Sequence, residues 1–216
     1  MEIKAVIFDL DGTLLHTIED IAEAANVLLE RNGRSPHTIA DYLGWIGNGA
    51  RVFIDLALGG KTPEDELEAI VKEFLAIYGA RLTDKTRFYD GIAEMLDELT
   101  DRGLKLAVLS NKPHELTCRL CAHYLSRWPF EPILGQREGI PRKPDPQAAL
   151  EIAEIWGIDP GKILFVGDSD NDVLTALGAG MHPLGVSWGY GRLKTKAVEG
   201  MGQLIDHPAA LPHRLC

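Results

Sequence analysis

The chain has 216 residues, 45% of them hydrophobic and 25% charged, which is enough apolar material to fold around a sizeable core. Its 32 acidic residues outnumber 22 basic ones and give a formal net charge of −10, so neither nonspecific nucleic-acid binding nor binding to an anionic membrane is predicted. No apolar run approaches the roughly 20 residues of a membrane span, and the amino terminus does not resemble a signal peptide, so we expect a cytoplasmic protein.

The first predicted element is a buried strand, residues 5–8, that ends in two acids. Its apolar run is followed directly by Asp9, Leu10, Asp11 and Gly12. Two carboxylates at the end of a buried strand repel each other and are costly to bury unless a cation lies between them, and a divalent cation with oxygen ligands meets that need. The simpler interpretation is that Asp11 and Gly12 only form the turn that ends the strand.

The following part of the chain carries helical patterns alone. Apolar residues recur at helical spacing from residue 17 to about residue 82, and no strand pattern interrupts them. The segment from Thr17 to Asp20 resembles a capping box with Asp20 as its acid, which predicts the start of the first helix. We therefore expect a helical insertion in this region.

From residue 88 onward, predicted strands alternate with predicted helices of about a dozen residues. The strands cover residues 104–109, 133–134, 162–167 and 183–187. Such alternation is typical of right-handed crossovers and a parallel sheet, so the sequence predicts an α/β fold.

Polar side chains follow three of the predicted strands. These residues are Asp9 and Asp11, Ser110 and Asn111, and Asp168 and Asp172. Because ligands bind beyond the carboxyl ends of the strands in such a sheet, we expect all of them at one rim. Lys143 lies on a proline-rich loop just before a predicted helix. Turn chemistry alone does not account for this convergence, which indicates an active site.

Cys118 and Cys121 form a C-x-x-C spacing inside a predicted helix, residues 113–125. The pair could be redox-active. Because apolar residues accompany both cysteines on much the same face, buried structural thiols are the favoured interpretation.

The polar residues resemble the four motifs of the haloacid dehalogenase superfamily of phosphohydrolases. The similar segments are Asp9 to Thr13, Ser110 with Asn111, Lys143 before Pro144, and Gly167 to Asp172. Their order and spacing agree with that superfamily, and the resemblance spans most of the chain. It implies a Rossmann-like parallel-sheet core formed by residues 1–14 and 86–216, with an inserted helical cap at residues 15–85.

The resemblance also implies catalytic roles. Asp9 would be the nucleophile that forms an aspartyl-phosphate, and Lys143 would neutralise both the nucleophile and the transferring phosphoryl group. Ser110 and the backbone N–H of Asn111 would bind phosphate oxygens. Asp11 would protonate the leaving alkoxide and then deprotonate the water that cleaves the intermediate.

The implied cofactor is Mg²⁺. Its ligands would be the Asp9 carboxylate, the Asp11 backbone carbonyl and Asp168. Asp172 would reach the metal through water or orient the other ligands.

Three further segments resemble phosphoglycolate phosphatases within the superfamily, namely residues 47–51, 186–191 and 205–208. Arg51 in the first segment could bind a substrate carboxylate through two hydrogen bonds, or it could be an ordinary surface arginine. The expected activity is Mg²⁺-dependent hydrolysis of a small phosphorylated metabolite, with a phosphoglycolate-like substrate favoured.

Other functions fit parts of the same pattern. A phosphomutase or a pyrophosphatase of the same superfamily would use the same acids. A signalling receiver that keeps its aspartyl-phosphate would be a non-enzymatic alternative, but the long cap and the presence of Asp11, a ready base for hydrolysis, argue against it.

Overall fold

The computed structural model describes residues 2–190, 193 and 204–215. The chain divides into two compact units. We call them the sheet unit (Met1–Leu15 with Phe88–Cys216) and the helical unit (His16–Arg87). Two short strands that the sequence did not predict, β2 (Leu15–His16) and β3 (Arg87–Phe88), pair with each other where the chain passes from one unit to the other.

The sheet unit contains a six-stranded sheet in which all neighbouring strands are parallel. Its strands are β1 (Ala5–Phe8), β4 (Lys105–Pro113), β5 (Phe130–Gln136), β6 (Ile163–Gly167), β7 (His182–Val186) and β8 (Leu204–Ile205). The spatial order is β5-β4-β1-β6-β7-β8, so the chain builds outward in both directions from the central β1. The α/β fold with a Rossmann-like parallel sheet, predicted from the alternating pattern, is confirmed.

Helices connect these strands. They are α5 (Ile92–Asp101), α6 (His114–Tyr124), α7 (Gln147–Trp156) and α8 (Asp170–Gly178), with 3-10 turns at Pro160–Lys162, Pro208–Ala210 and Pro212–Arg214. Helix α7 buries Ala149 and Ile152 in a core cluster that includes Ile7 of β1 and Phe165 of β6. Because this packing removes the central strands from water, their carboxyl ends are held in a fixed arrangement.

The helical unit contains α1 (Ile18–Arg31), α2 (Ile39–Trp45), α3 (Ala50–Ala57) and α4 (Glu64–Ala80), in agreement with the helical patterns. Aromatic rings join three of these helices: Tyr42 packs on Phe53 and Phe53 on Phe74, with centroids 5.4 and 5.7 Å apart. That this unit acts as a cap stays a prediction.

The capping box predicted at the start of α1 is wrong. Thr17 makes no side-chain hydrogen bond that caps the helix, and its backbone is in the helical rather than the extended region. The Asp20 carboxylate instead accepts hydrogen bonds from the backbone N–H groups of Lys85 and Thr86 and from the Thr86 hydroxyl. Asp20 therefore binds the backbone of Lys85, 65 residues away in the sequence, and not the backbone of Thr17.

The C-x-x-C residues lie on α6, where Cys121 is buried, Cys118 is half-buried and both are free thiols. Burial raises the pKa of Cys121 to about 12. A raised pKa disfavours the reactive thiolate, which supports the structural interpretation over a redox-active one. None of the helices in the described part of the chain has the length and apolar character needed to span a bilayer.

Candidate active site

The register of the sheet brings the first and fourth motifs side by side. Phe8 at the end of β1 is paired with Val166 of β6, and the Asp9 N–H donates to the Val166 carbonyl at 2.9 Å. Gly12 then turns the chain with a φ of +89°, a conformation that favours glycine. A Cβ at this position would collide with the Asp168 carboxylate, so the glycine also permits the close approach of the two motifs.

Three buried acids form the centre of the site. Asp9, Asp168 and Asp172 each offer a carboxylate oxygen, and these oxygens all lie within 4.8 Å of one another. Burial, partly offset by Lys143 and reinforced by Asp172 and Asp11, raises the pKa of Asp9 to about 7. Burial together with Asp9 and Asp172 raises the pKa of Asp168 to about 8. The cluster therefore holds more negative charge than its surroundings stabilise, which favours a bound cation.

Lys143 supplies an ammonium group next to these acids. Its Nζ lies 2.8 Å from Asp9 Oδ1 and 2.6 Å from Asp172 Oδ1, and it donates to the Leu109 carbonyl at 3.0 Å. Burial alone would lower the pKa of Lys143, but the Asp172 and Asp9 carboxylates outweigh that effect and the pKa is raised. Lys143 is therefore a permanent cation in this site.

The Asn111 side chain fixes the backbone of Lys143. Its Oδ1 accepts a hydrogen bond from the Lys143 N–H at 2.9 Å, and its Nδ2 donates to the Lys143 carbonyl at 3.0 Å. Both residues are buried. These two hydrogen bonds join the second motif, at Asn111, to the third motif, at Lys143. The predicted role of the Asn111 N–H in phosphate binding is separate from them.

Asp172 is fixed from the opposite side. Its Oδ2 accepts from the Ser169 N–H at 3.0 Å and from the Ser169 hydroxyl at 2.6 Å, which closes a capping box at the start of α8. Its Oδ1 is left for Lys143. A Cβ on Gly167 would collide with this side chain. Asp172 therefore joins helix α8 to the ammonium of Lys143.

Asp11 has a different partner that sequence reasoning missed. Its two carboxylate oxygens lie 3.0 and 2.8 Å from Nζ of Lys112. The prediction ended the strand at residue 109 because Ser-Asn-Lys-Pro is typical of a turn, whereas β4 continues to Pro113. Had the strand been extended, the alternation of side chains would have placed Lys112 on the same side as Ser110. The backbone N–H of Lys112 donates to Ser110 Oγ at 3.2 Å.

The loop after β7 packs against the same motifs. The Tyr190 N–H donates to Asp168 Oδ2 at 2.8 Å, and the Trp188 indole N–H donates to the Thr13 carbonyl at 3.0 Å. Of the segment 186–191 singled out in the sequence, Gly191 lies outside the described residues. The segment 205–208 forms the end of β8 and the start of a 3-10 turn, and the Ser187 N–H donates to the Ile205 carbonyl at 3.0 Å.

The sheet unit thus brings four predicted site residues close together, namely Asp9, Lys143, Asp168 and Asp172. Asn111 is hydrogen-bonded to Lys143, and both Ser110 and Asp11 are hydrogen-bonded to Lys112. Arg51 belongs to the helical unit, at the first turn of α3, where its guanidinium pairs with Glu64. Its predicted role in substrate binding stays a prediction.

Comparison with known proteins agrees with this geometry. Residues 3–180 match the family model of the haloacid dehalogenase-like hydrolases. The chain belongs to this family. This membership, together with the phosphatase relatives given next, identifies it as a phosphoric monoester hydrolase.

Its relatives in the family include proteins named phosphoglycolate phosphatase. The one from Psychrobacter arcticus is 32% identical over 222 residues, with 96% of each chain covered. Phosphoglycolate phosphatase 1 of Pseudomonas aeruginosa is 37% identical over 210 residues, covering 94% of this chain and 76% of that protein. The crystal structure of a predicted phosphoglycolate phosphatase from Haemophilus somnus 129pt superposes with a TM-score of 0.90 at 28% identity, covering 100% of this chain and 99% of the other.

Proposed function

We propose that this hydrolase is a Mg²⁺-dependent phosphatase that cleaves a small phosphomonoester through an aspartyl-phosphate on Asp9, with phosphoglycolate as the favoured substrate. The observation that carries the proposal is the contact of Asp9 with Lys143 inside a buried acid cluster. A carboxylate that is to attack a phosphate needs a neighbouring cation, since the two anions repel each other.

The residues present fit a magnesium ion. Asp9, Asp168 and Asp172 are buried, their carboxylate oxygens are within 4.8 Å of one another, and hard oxygen ligands are those that Mg²⁺ prefers. We propose that Asp9, Asp168 and the Asp11 carbonyl hold the ion and that Asp172, already engaged by Ser169 and Lys143, orients the site. When bound, Mg²⁺ would supply positive charge that offsets the repulsion between Asp9 and a phosphate dianion.

The first step transfers the phosphoryl group to the protein. An Asp9 carboxylate oxygen forms a bond to phosphorus while the bond from phosphorus to the leaving oxygen breaks. Asp11 acts as the general acid and gives a proton to the leaving oxygen. Lys143 and the Ser110 hydroxyl stabilise the charge on the phosphoryl oxygens.

The second step returns the site to its starting state. The Asp11 carboxylate takes a proton from water, the water oxygen bonds to phosphorus, and the bond between phosphorus and Asp9 breaks. Phosphate leaves, Asp9 is again a carboxylate, and the proton that Asp11 takes from water replaces the one it gave to the leaving oxygen. Hydrolysis of the intermediate separates a phosphatase from a receiver that keeps its aspartyl-phosphate.

The choice of phosphoglycolate rests on the names of the relatives and on Arg51, which would bind the carboxylate of such a substrate. A phosphate-release screen tests it. We expect phosphoglycolate to be hydrolysed with a higher kcat/KM than sugar phosphates, nucleotides or pyrophosphate, and only with Mg²⁺ present. Interconversion of a sugar phosphate without net phosphate release would instead identify a phosphomutase, and preferred cleavage of pyrophosphate a pyrophosphatase.

The nucleophile is tested by Asp9→Asn. We expect turnover to fall by at least about 10³-fold, because a neutral amide is a poor nucleophile, while thermal unfolding stays cooperative. Wild-type enzyme quenched in acid during turnover of a ³²P-labelled substrate should carry label that hydroxylamine releases. Comparable turnover in Asp9→Asn and wild type would refute the assignment.

A further inference from the structure

Lys112 has a buried ammonium group that takes no part in the proposed mechanism. Its side chain is 4% exposed and its Asp11 partner 14% exposed. Exposed pairs of this kind hold their geometry weakly because water and salt screen them. Here the ammonium faces both carboxylate oxygens of Asp11 and is largely removed from solvent, so the contact constrains the orientation of Asp11.

The backbone on the lysine side of this contact is well anchored. Lys112 belongs to β4, its N–H donates to Ser110 Oγ at 3.2 Å, and its carbonyl accepts from the hydroxyl of Thr117 at 3.2 Å. Thr117 is fully buried in α6. Strand, hydroxyl and helix together fix the direction in which the lysine side chain leaves the backbone.

The backbone on the acid side is equally constrained. Asp11 lies in a tight turn in which the N–H groups of Leu14 and Leu15 both donate to the Leu10 carbonyl, and the Gly12 N–H donates to the Leu15 carbonyl. The pair therefore joins two backbone segments that do not depend on it for their own geometry.

The two lysines that are buried in the described part of the chain contact different acids. Lys143 contacts Asp9 and Asp172, whereas Lys112 contacts Asp11. The orientation of Asp11 is thus set separately from that of the nucleophile. Asp11 must lie next to the leaving oxygen in the first step and next to a water molecule in the second, when Asp9 carries the phosphoryl group. A partner of its own allows Asp11 to keep its position in both steps.

We propose that Lys112 is a positioning residue that holds the Asp11 carboxylate in the orientation needed for both proton transfers. Through its backbone N–H it also directs Ser110 Oγ, which leaves the hydroxyl proton for a phosphate oxygen. The inference rests on the proposed function, since Asp11 has a proton to move only in that reaction.

The test compares Lys112→Met with wild type on two probes, propyl phosphate and p-nitrophenyl phosphate. Propyl phosphate has a leaving oxygen that needs a proton, and its kcat should fall at least about tenfold with KM changed less than about threefold. The p-nitrophenolate group leaves without a proton. Its release in the first turnover should stay within about threefold of wild type while later turnovers slow at least about tenfold, which gives a burst close to one equivalent per site.

Three further variants make the result specific. Lys112→Arg should recover most of the lost turnover, and Lys105→Met, an exposed lysine at the start of the same strand, should behave as wild type. The double variant Asp11→Asn with Lys112→Met should be no slower than Asp11→Asn alone, because residues that act as a unit are not additive. Folding is checked by thermal unfolding, and Lys112→Gln replaces Lys112→Met if the latter does not fold.

Several outcomes would overturn the inference: equal losses in the first and later turnovers, a change in KM alone, or fully additive losses in the double variant. Its failure differs from failure of the proposed function. If only the positioning role is wrong, Asp9→Asn is still inactive and labelled protein is still trapped. If the mechanism itself is wrong, no label is trapped in any variant.

Discussion

Each unit of the chain contains an almost fully buried aspartate, Asp20 in the helical unit and Asp168 in the sheet unit, and their surroundings differ in charge and in hydrogen-bond donors. Asp20 of the helical unit is 0% exposed and accepts hydrogen bonds from two backbone N–H groups and one hydroxyl. Asp168 of the sheet unit is 3% exposed, accepts one from the Tyr190 N–H and faces the carboxylates of Asp9 and Asp172.

The difference shows that burial does not by itself mark a functional acid. The donors around Asp20 replace the hydrogen bonds to water that the carboxylate lost on burial. Asp168 faces like charges instead, and its pKa is raised to about 8. An acid with its donors supplied by the protein holds the fold together, whereas an acid left among other acids is suited to hold a cation.

The largest expected effect separates the two acids by function. Asp168→Asn should weaken Mg²⁺ binding at least about 100-fold and reduce turnover accordingly, because one of the proposed ligands of the ion is lost. Asp20→Asn should change the Mg²⁺ dissociation constant less than about twofold. Isothermal titration with Mg²⁺ measures both, and equal losses in the two variants would contradict the comparison.

The next expected effect is on the stability of the fold, to which we expect Asp20 to contribute. Asp20→Asn places an amide N–H₂ among backbone donors, so we expect the free energy of unfolding to fall by about 3 kcal/mol and Tm by roughly 10 °C. Glu68→Gln, an exposed acid on α4, is the control for loss of charge and should be close to neutral. Chemical denaturation measures the change. A loss below about 1 kcal/mol would mean that the hydrogen bonds to Asp20 are dispensable.

The third expected effect concerns how the stability of the metal-free protein depends on pH. An unfolded Asp has a pKa of about 3.9, whereas Asp9 and Asp168 reach about 7 and about 8 in the fold. The folded state therefore keeps protons that the unfolded state has lost, and their contribution to stability disappears as the pH rises through 7 and 8. In EDTA, Tm should fall between about pH 5 and about pH 8.5, and Asp168→Asn should reduce that slope.

Mg²⁺ offers a check on the same effect. The cation competes with protons for these carboxylates, so it should raise Tm more at about pH 8 than at about pH 5. A rise that does not depend on pH would indicate binding elsewhere.

Most helices and strands could be predicted from the sequence because hydrophobic periodicity is a local pattern. Helix α4 (Glu64–Ala80) lies inside the helical patterns predicted from residue 17 to about residue 82, and β6, predicted at residues 162–167, covers Ile163–Gly167. Strand β8 is two residues long and is defined by its pairing with β7, so it leaves no local pattern. Strand β5 (Phe130–Gln136) is longer than the predicted residues 133–134 and includes Pro132, which an edge strand tolerates.

For the candidate site, the sequence indicated which residues would meet but not how they are paired. The proximity of Asp9 and Asp168 follows from parallel strands whose ends lie at one rim. The contact of Lys112 with Asp11, and that of Asp20 with Lys85 and Thr86, join residues far apart in the chain through side-chain directions that no local pattern encodes.

The two hydrogen bonds between the Asn111 side chain and the Lys143 backbone have a consequence for how such chains can vary. They attach the base of the lysine to the central sheet, so the ammonium takes its position from β4 rather than from the loop that leads to it. Residues 137–142 could therefore gain or lose length without relocating the positive charge, and a graft of this segment between homologues should succeed wherever the asparagine is retained.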